Sequence, residues 1–145
     1  MKILFDTNIL VSAMIESHPH HPISLPWIQQ VRNQSILGYI STHSIAELYA
    51  VLTCLPLPQP LNPQQIHDAI VNNLKTFHPV NLDNTDYLEI LKNVAQLNIT
   101  GGGIYDAIIA QAALKADVDN LITLNPKHFT RLGERIAKLI KDPSL

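Results

Sequence analysis

The stretch Lys2-Ile3-Leu4-Phe5-Asp6-Thr7-Asn8-Ile9-Leu10 at the start of the chain decides the fold. Its first part, residues 2–5, is mainly apolar and predicts a short buried strand that ends at Asp6. Thr7 or Asn8 then caps a helix, because short polar side chains accept hydrogen bonds from the first turn. A buried strand that passes directly into a helix is typical of an α/β protein with a parallel sheet.

The same alternation of strands and helices continues along the rest of the chain. Further strands are predicted at 37–41, 78–82 and 120–124, and Ile136 to Ile140 reads as either a last strand or a helix. Helices are predicted from residue 7 or 8 to residue 14 or 15, and at 26–34, 44–55, 63–74, 84–97 and 104–116, with one helical turn around Phe129 and Leu132. We therefore expect one three-layer α/β/α domain over residues 1–145, with a central parallel sheet of four or five strands flanked by helices.

Two details of the predicted helices depend on local signals. Pro26 opens the second helix, since proline suits the first turn, and the prolines at 56, 58 and 60 form an extended connector after the third. In the 84–97 helix, Leu88, Leu91 and Val94 are among the residues predicted to form the apolar face.

The bulk composition fits a globular protein. The chain has 145 residues, of which 46% are hydrophobic and 15% charged, so it can bury a core of its own. A single cysteine, Cys54, excludes an internal disulfide. Asp6 interrupts the apolar start where a signal peptide needs an unbroken run, and no stretch approaches the ~20 apolar residues of a membrane span. We therefore expect a cytoplasmic protein with no membrane association.

Three carboxylates stand at one predicted edge of the sheet. Asp6 ends the first strand, Glu47 lies in the first turn of the helix after the second strand, and Asp106 begins the helix after Gly101-Gly102-Gly103. Ligands of open parallel sheets bind beyond the carboxyl ends of the strands. Converging carboxylates repel one another unless a cation joins them, and oxygen ligands select hard ions such as Mg²⁺ or Mn²⁺. The pattern predicts a divalent metal site.

Each of these acids also has a purely structural explanation. Asp6 can cap a helix, and Glu47 can complete a capping box with Ser44. Asp106 can stabilise a helix N-terminus through the helix dipole. Only their joint occurrence in one strand-then-helix pattern favours a functional site.

Four segments carry a more specific signal when they are taken in order. They are Phe5-Asp6-Thr7-Asn8-Ile9-Leu10, Ser44-Ile45-Ala46-Glu47-Leu48, Tyr105-Asp106-Ala107-Ile108-Ile109-Ala110 and Leu121-Ile122-Thr123-Leu124-Asn125-Pro126-Lys127-His128-Phe129. Together they resemble the PIN-domain family, and in particular its VapC-like branch, the toxins of bacterial toxin–antitoxin pairs. The resemblance covers nearly the whole chain.

This resemblance implies a PIN-like fold and a Mg²⁺- or Mn²⁺-dependent endoribonuclease that hydrolyses RNA phosphodiesters. Asp6, Glu47 and Asp106 match the first three acidic positions of the family. The supporting polar positions are matched by Thr7, Asn8, Ser44 and Thr123. The implied partners are RNA, a small antitoxin protein and a second copy of the chain in a homodimer.

One departure from the family pattern bears on activity. Many members carry a fourth acid at the position of Asn125, or the acid of a following Asp-Phe pair, whereas this chain has Asn125 and His128. Asn125 can still coordinate a metal through its amide oxygen, but it brings no charge. Catalysis with one tightly held metal, or with a second recruited by the RNA phosphate, is then favoured. The alternative is a catalytically weak or inactive PIN-like module that acts through RNA or protein binding.

The expected contacts with RNA and antitoxin rest on the charge and apolar patterns. The formal net charge is −2, yet half of the ten Lys and Arg residues lie between residues 127 and 141. Lys127 and Arg131 are the candidates for holding the RNA backbone. For the antitoxin, the candidate surface is the set of apolar helix positions Leu48, Val51, Leu52, Ile66 and Ile70, for which core packing is the other interpretation.

Two other classes of site fit the sequence less well. His18, His20 and His21 suggest zinc, but they have no nearby cysteine and no second spaced pair. Asp6 at a strand end suggests an aspartyl phosphatase, but that class needs a second Asp two residues later, where this chain has Asn8.

Overall fold

Five parallel strands form the central sheet of the chain, which a computed structural model describes over residues 1–144. They are β1 (Lys2–Phe5), β2 (Leu37–Ser41), β3 (His78–Val80), β4 (Asn120–Ile122) and β5 (Ile140–Lys141). Across the sheet their order is β3-β2-β1-β4-β5, and every neighbouring pair is parallel. The helices are α1 (Thr7–Met14), α2 (His21–Arg32), α3 (Thr42–Cys54), α4 (Pro63–Asn73), α5 (Asn84–Gln96), α6 (Gly103–Lys115), α7 (Pro126–Thr130) and α8 (Glu134–Ala137).

The sheet is covered by helices on both faces. Side chains alternate along β1, so Ile3 and Phe5 point to one face and Leu4 to the other. Ile3 and Phe5 pack with residues of α1, α2, α3 and α4, whereas Leu4 packs with residues of α6, α7 and α8. Because both faces are buried, β1 is apolar without interruption. The three-layer α/β/α prediction is confirmed.

The second helix begins five residues earlier than the sequence predicts, at His21 instead of Pro26. Pro22 takes the first-turn position that we assigned to Pro26, and Pro26 lies inside the helix. The missing N–H of Pro26 leaves only the carbonyl of Pro22, one turn earlier, without its helical partner. Proline at either position is therefore compatible with a helix, and the sequence alone does not choose between them.

The third helix begins at Thr42 and not at Ser44. Its N-cap is Ser41, whose hydroxyl accepts a hydrogen bond from the backbone N–H of His43 at 3.2 Å. The predicted cap at Ser44 and its capping box with Glu47 are therefore wrong. Glu47 lies in the second turn of α3, so its carboxylate is not needed for capping.

The ends of the other strands differ slightly from the prediction. β3 ends at Val80 and β4 at Ile122, each two residues short of the predicted end. The segment Ile136 to Ile140, left open between strand and helix, contains the end of α8 and the start of β5. In α5, Ile90 and Val94 are buried while Leu88 and Leu91 are exposed, so the predicted apolar face is wrong at those two leucines.

The helix positions considered for the antitoxin belong to the core. Leu48, Leu52, Ile66 and Ile70 are buried together, and the partly buried Val51 packs against them. They join α3 and α4 to the face of the sheet that carries Ile3 and Phe5. Core packing is thus their use, and an antitoxin needs another surface. In the described part of the chain, no helix is long and apolar enough to cross a membrane.

Candidate active site

The strand order brings the predicted acids to one edge of the sheet. β1 lies between β2 and β4, and the strand order reverses at this point: β2 and β3 lie on one side of β1, and β4 and β5 on the other. In such sheets, ligands bind beyond the carboxyl ends of the strands at this point. Phe5 pairs with Ile122, so Asp6 and Thr123 leave neighbouring strands side by side. Glu47 of α3 and Asp106 of α6 lie close enough to Asp6 for their charges to act on its carboxyl, so the three acids meet at this edge.

Asp6 is almost completely buried, with 5% of its surface exposed. Burial raises the pKa of its carboxyl to about 7, and repulsion from Asp106 and Glu47 adds to the rise. The hydroxyl of Thr123 donates to Oδ2 of Asp6 at 2.7 Å and partly opposes the rise. Although Asp6 stands at the N-cap of α1, its side chain makes no capping hydrogen bond. The capping explanation of Asp6 is therefore wrong.

Thr123 is fixed by hydrogen bonds that converge on its fully buried hydroxyl. The Oγ1 atom accepts from the backbone N–H of Asn125 at 3.0 Å and from Nδ2 of Asn8 at 3.5 Å. The side-chain oxygen of Asn8 in turn accepts from the backbone N–H of Leu124 at 3.3 Å. Thr123 therefore has its single proton free to donate to Asp6, which orients that carboxylate. Asn125 supports this arrangement through its backbone.

A second buried hydrogen bond joins the helices that follow β1 and β2. The hydroxyl of Thr7 donates to the hydroxyl of Ser44 at 3.0 Å, and both side chains are buried. This contact fixes the start of α3 against α1, and with it the position of Glu47 one turn further along. The backbone N–H of Thr7 also interacts with the carboxylate of Asp6 and partly opposes the rise in its pKa.

Glu47 carries a buried oxygen that has no hydrogen-bond partner, Oε2. The Nε2 atom of His43 lies 3.4 Å from it, beyond hydrogen-bonding geometry. The imidazole of His43 also stacks on Tyr105, with ring centroids 5.1 Å apart and planes within 2° of parallel. Our sequence analysis did not find His43 or Tyr105. The available signal was the i, i+4 spacing of His43 and Glu47 on one helix.

Asp106 is the acid with positive groups beside it. Its Oδ2 atom lies 3.6 Å from Nδ1 of His128 and 3.9 Å from Nη2 of Arg131. Burial raises the pKa of Asp106, His128 and Arg131 oppose this, and Glu47 adds to the rise. The structure thus places the predicted Arg131, and the unpredicted His128, directly at the acidic cluster.

Gly103 allows Arg131 to reach this position. A Cβ atom on Gly103 would lie 2.4 Å from Cγ2 of Ile99 and 2.7 Å from Nη2 of Arg131. Such distances are too short for real contacts, so a side chain here would displace the guanidinium. Within the triple glycine, Gly103 is therefore needed for close packing at the start of α6, whereas a Cβ atom on Gly101 or Gly102 would meet nothing within 4 Å.

The other basic residues of the C-terminal stretch have separate contacts. Lys138 pairs with Glu134 at 3.4 Å, and Lys141 lies over the ring of Trp27 at 5.1 Å from its centroid. Lys127 is exposed on α7. Of the predicted RNA-binding pair, only Arg131 contacts an acid of the site.

The acids fit a divalent cation by their chemistry. Burial, with added repulsion from Asp106 and Glu47, raises the pKa of Asp6, and the buried Oε2 atom of Glu47 has no hydrogen-bond donor. A cation would relieve both conditions. Over residues 1–144, however, no group of three or more His, Cys, Asp or Glu side chains is arranged so that it could hold a metal ion, and this leaves the zinc interpretation of His18, His20 and His21 unsupported as well.

An apolar cavity of about 400 Å³ lies elsewhere, between α5, α6 and α8. Ile90, Val94, Leu114 and Ile136 are among the residues that line it, and none of the site carboxylates does so. The acids instead stand at the open edge of the sheet. An open edge suits a polymeric phosphodiester, which needs no enclosing pocket.

Comparison with known proteins agrees with this geometry. The PIN domain family matches residues 3–135. Ribonuclease VapC27 of Mycobacterium tuberculosis is 30% identical over 108 residues, which are 74% of each chain.

Two solved structures share the fold. VapBC-1 from nontypeable Haemophilus influenzae has a TM-score of 0.68 at 22% identity and covers 100% of both chains. A toxin–antitoxin complex from Klebsiella pneumoniae has a TM-score of 0.63 at 21% identity and covers 97% of both chains. Because the family model matches nearly the whole length and a ribonuclease relative is 30% identical over 74% of the chain, this chain belongs to the PIN-domain family.

Proposed function

We propose that this chain is a divalent-metal-dependent endoribonuclease and the toxin of a toxin–antitoxin pair. The observation that carries the proposal is the buried Asp6, whose pKa is raised to about 7 beside Asp106 and Glu47. Such crowding of carboxylates is costly unless a cation is bound. The ribonuclease name of its relative in Mycobacterium tuberculosis supports the same reaction class.

Asp6, Asp106 and Glu47 would hold Mg²⁺ or Mn²⁺. When bound, such an ion neutralises charge on the phosphate and makes water a stronger nucleophile. Asp6 is oriented for this role by the hydroxyl of Thr123, which donates to Oδ2 at 2.7 Å. Glu47, whose buried Oε2 atom has no hydrogen-bond partner, would help to hold the ion or would orient the attacking water.

The reaction is hydrolysis of an RNA phosphodiester. The water oxygen forms a bond to phosphorus, the bond from phosphorus to the ribose 3′-oxygen breaks, and a proton passes to that oxygen. The products carry a 5′-phosphate and a 3′-hydroxyl. The neighbouring phosphates are held by Arg131, which lies beside Asp106, and by Lys127, which is exposed on α7. Thr123, Asn8 and the backbone of Asn125 keep Asp6 in place.

An antitoxin partner is consistent with the exposed surface close to the acids. Ile45 and Tyr49 lie exposed on α3, on either side of Glu47 in sequence, and Tyr105 is exposed next to Asp106. This patch, which we call the α3 rim, replaces the buried positions considered from sequence. A small protein that covers the α3 rim would block the site, and the solved toxin–antitoxin complex from Klebsiella pneumoniae has the same fold.

The remaining partner and compartment assignments follow from this proposal. A second copy of the chain forms a homodimer, for which the exposed Leu88 and Leu91 of α5 offer apolar surface. The protein acts on cytoplasmic RNA as a single PIN-like domain over residues 1–145.

The experiment that tests the proposal is cleavage of a mixed RNA pool by purified protein, with Mn²⁺ or Mg²⁺ against EDTA. Cleavage should need the metal. Loss of an outer-shell partner of a metal costs about 10–100-fold in activity, and Asp106→Asn should reduce the cleavage rate by more than this. Asp117→Asn is the matched control, because Asp117 is an exposed acid near the far end of α6.

The alternative is an inactive module, which the lack of an acid at Asn125 and His128 favours. Cleavage that survives in Asp106→Asn, or in EDTA, would show a different active centre. Carboxylate-independent RNA binding without cleavage under either metal would instead support the inactive module.

A further inference from the structure

His43 and Tyr105 form a stacked pair of rings beside the acids. The pair joins α3 to α6, with ring centroids 5.1 Å apart and planes within 2° of parallel. This is the offset, parallel arrangement that aromatic rings favour. Nε2 of His43 lies 3.4 Å from Oε2 of Glu47, and Tyr105 directly precedes Asp106 on α6. The two rings therefore border the acidic cluster.

The ring of Tyr105 has surface to spare for a further partner. Tyr105 is 52% exposed, whereas the side chain of His43 is only 24% exposed. Among the described residues, Tyr105 belongs to none of the three apolar clusters that form the core. His43 thus holds the ring plane of Tyr105 in place, and the exposed part of that ring remains available for stacking.

We propose that Tyr105, backed by His43, is a stacking platform for an unpaired base of the RNA next to the cleaved bond. The inference rests on the proposed function and adds a base-binding subsite to it. Sequence-specific readers of single-stranded RNA stack its bases on aromatic side chains, tyrosine and histidine among them. Stacking itself tolerates any base, because every base has a flat π-face. The platform therefore selects an unpaired nucleotide and not a particular sequence.

The groups around Asp106 fit an RNA strand that passes over Tyr105. Nη2 of Arg131 lies 3.9 Å from Oδ2 of Asp106, so a cation for a phosphate and a ring for a base both stand near this acid. Successive side chains of a helix point in different directions, so Tyr105 and Asp106 leave α6 at an angle to each other. A strand can thus place a phosphate at the acids and a base on the ring. Tyr105 also belongs to the α3 rim, so an antitoxin bound there would displace the base.

The test is the binding of short single-stranded RNAs that carry 2-aminopurine, a fluorescent base whose emission falls when it stacks on a ring. EDTA is present, so that metal-dependent cleavage does not interfere. Emission should fall on binding to the natural protein and to Tyr105→Phe, which keeps the ring. Tyr105→Leu should abolish this fall and weaken RNA affinity by about 5–150-fold, the value of one stacked base. The matched control is Tyr87→Leu, since Tyr87 is an exposed tyrosine on α5.

His43 is tested as a positioning residue. His43→Leu should reduce the fall in emission, and His43→Phe should restore it, because phenylalanine again offers a flat ring to Tyr105. A merely structural contact between α3 and α6 would change the melting temperature without this difference in emission. An equal fall in emission with the natural protein and with His43→Leu would overturn the backing role of His43.

Two results would overturn the platform and leave the proposed function intact. One is unchanged RNA affinity in Tyr105→Leu beside metal-dependent cleavage by the natural protein, which would leave Tyr105 to the antitoxin surface alone. The other is an equal loss of affinity in Tyr87→Leu.

The remaining outcomes separate the platform from the nuclease. Binding of RNA that depends on Tyr105, without cleavage under either metal, would support the platform and overturn the proposed nuclease. Absence of both RNA binding and cleavage in the natural protein would overturn the two together. Because Tyr105 is exposed, circular dichroism and melting curves should show that its variants fold normally.

Discussion

Asp6 makes the metal-free protein less stable as the pH rises, and Asp6→Asn should remove this dependence. An acid whose pKa is raised on folding binds its proton more tightly in the folded state than in the unfolded one. Its stabilising effect is complete below pH 4 and is lost as the pH rises through about 7, the folded pKa of Asp6. Asparagine has nearly the same shape, still accepts from Thr123 and cannot ionise.

The size of the effect follows from the pKa. The shift from 3.8 to about 7 is worth about 4 kcal/mol, at 1.36 kcal/mol per unit. Asp6 is 5% exposed, so solvent screening reduces this figure little. For a chain of this size, 1 kcal/mol moves the melting temperature by about 2–4 °C. Asp6→Asn should therefore melt about 10 °C above the natural protein at pH 8, and close to it at pH 4.

The assay is thermal or urea unfolding in EDTA between pH 4 and pH 8, with the difference between the two proteins plotted against pH. Asp117→Asn is the control, since Asp117 is exposed and asparagine also tolerates its φ of 50°. Adding Mn²⁺ at pH 8 should stabilise the natural protein by about 2.7 kcal/mol at 100 times its Kd, and the variant by much less. A stability difference that stays constant from pH 4 to pH 8 would refute this reasoning.

Two further substitutions probe the neighbours of the acids. Arg131→Gln removes the positive charge beside Asp106, so Mn²⁺ should bind several-fold more tightly. RNA binding should weaken, and the slope of log affinity against log salt concentration should fall by about 1. Unchanged Mn²⁺ affinity and an unchanged salt slope would contradict the proposed role of Arg131. Thr123→Val leaves Asn8 and Asn125 without an acceptor and removes the hydroxyl that donates to Asp6, so urea unfolding should show a loss of about 1–3 kcal/mol, which Thr123→Ser should largely restore. A valine variant as stable as the natural protein would show that this network contributes little.

The sheet and the place of the acids could be predicted because their signals are local. A strand that is buried on both faces must be apolar throughout, and residues 2–5 show this directly. Parallel strands separated by helices then place every strand end at one edge. Asp6, Glu47 and Asp106 follow from that rule, although neither their geometry nor their pKa values can be derived from it.

The start of α3 could not be predicted, since a distant contact decides it. Ser41 and Ser44 are equally suitable caps by residue type. In the structure the hydroxyl of Ser44 pairs with Thr7, which is 37 residues away, and this leaves Ser41 as the cap. The structural explanation of Glu47 was a capping box with Ser44, which is not the cap. The functional interpretation of Glu47 is therefore favoured.

The buried face of α5 could not be predicted for a similar reason. Apolar residues surround much of this helix, so several choices of face satisfy the pattern. Packing against Ala107 and Ile108 of α6 selects Ile90 and Val94, and Leu88 and Leu91 remain exposed. The contacts of Asp106 with His128 and Arg131 likewise depend on how α7 docks beside α6. Sequence spacing alone carries no information on that docking.

Asp6 and Asp106 differ in the positive groups that lie beside their carboxylates, and this difference decides which of them gains more from a bound cation. Asp106 has His128 and Arg131 beside it, whereas Asp6 has two uncharged donors, the hydroxyl of Thr123 and the backbone N–H of Thr7, and two repelling carboxylates. An arriving cation therefore gains most from Asp6, where the fold supplies no positive charge. At Asp106 the same cation would compete with the guanidinium of Arg131, so on the proposed function we expect ion binding to weaken the contact between Arg131 and Asp106. Occupation of the metal site would then make Arg131 more available to the substrate phosphates.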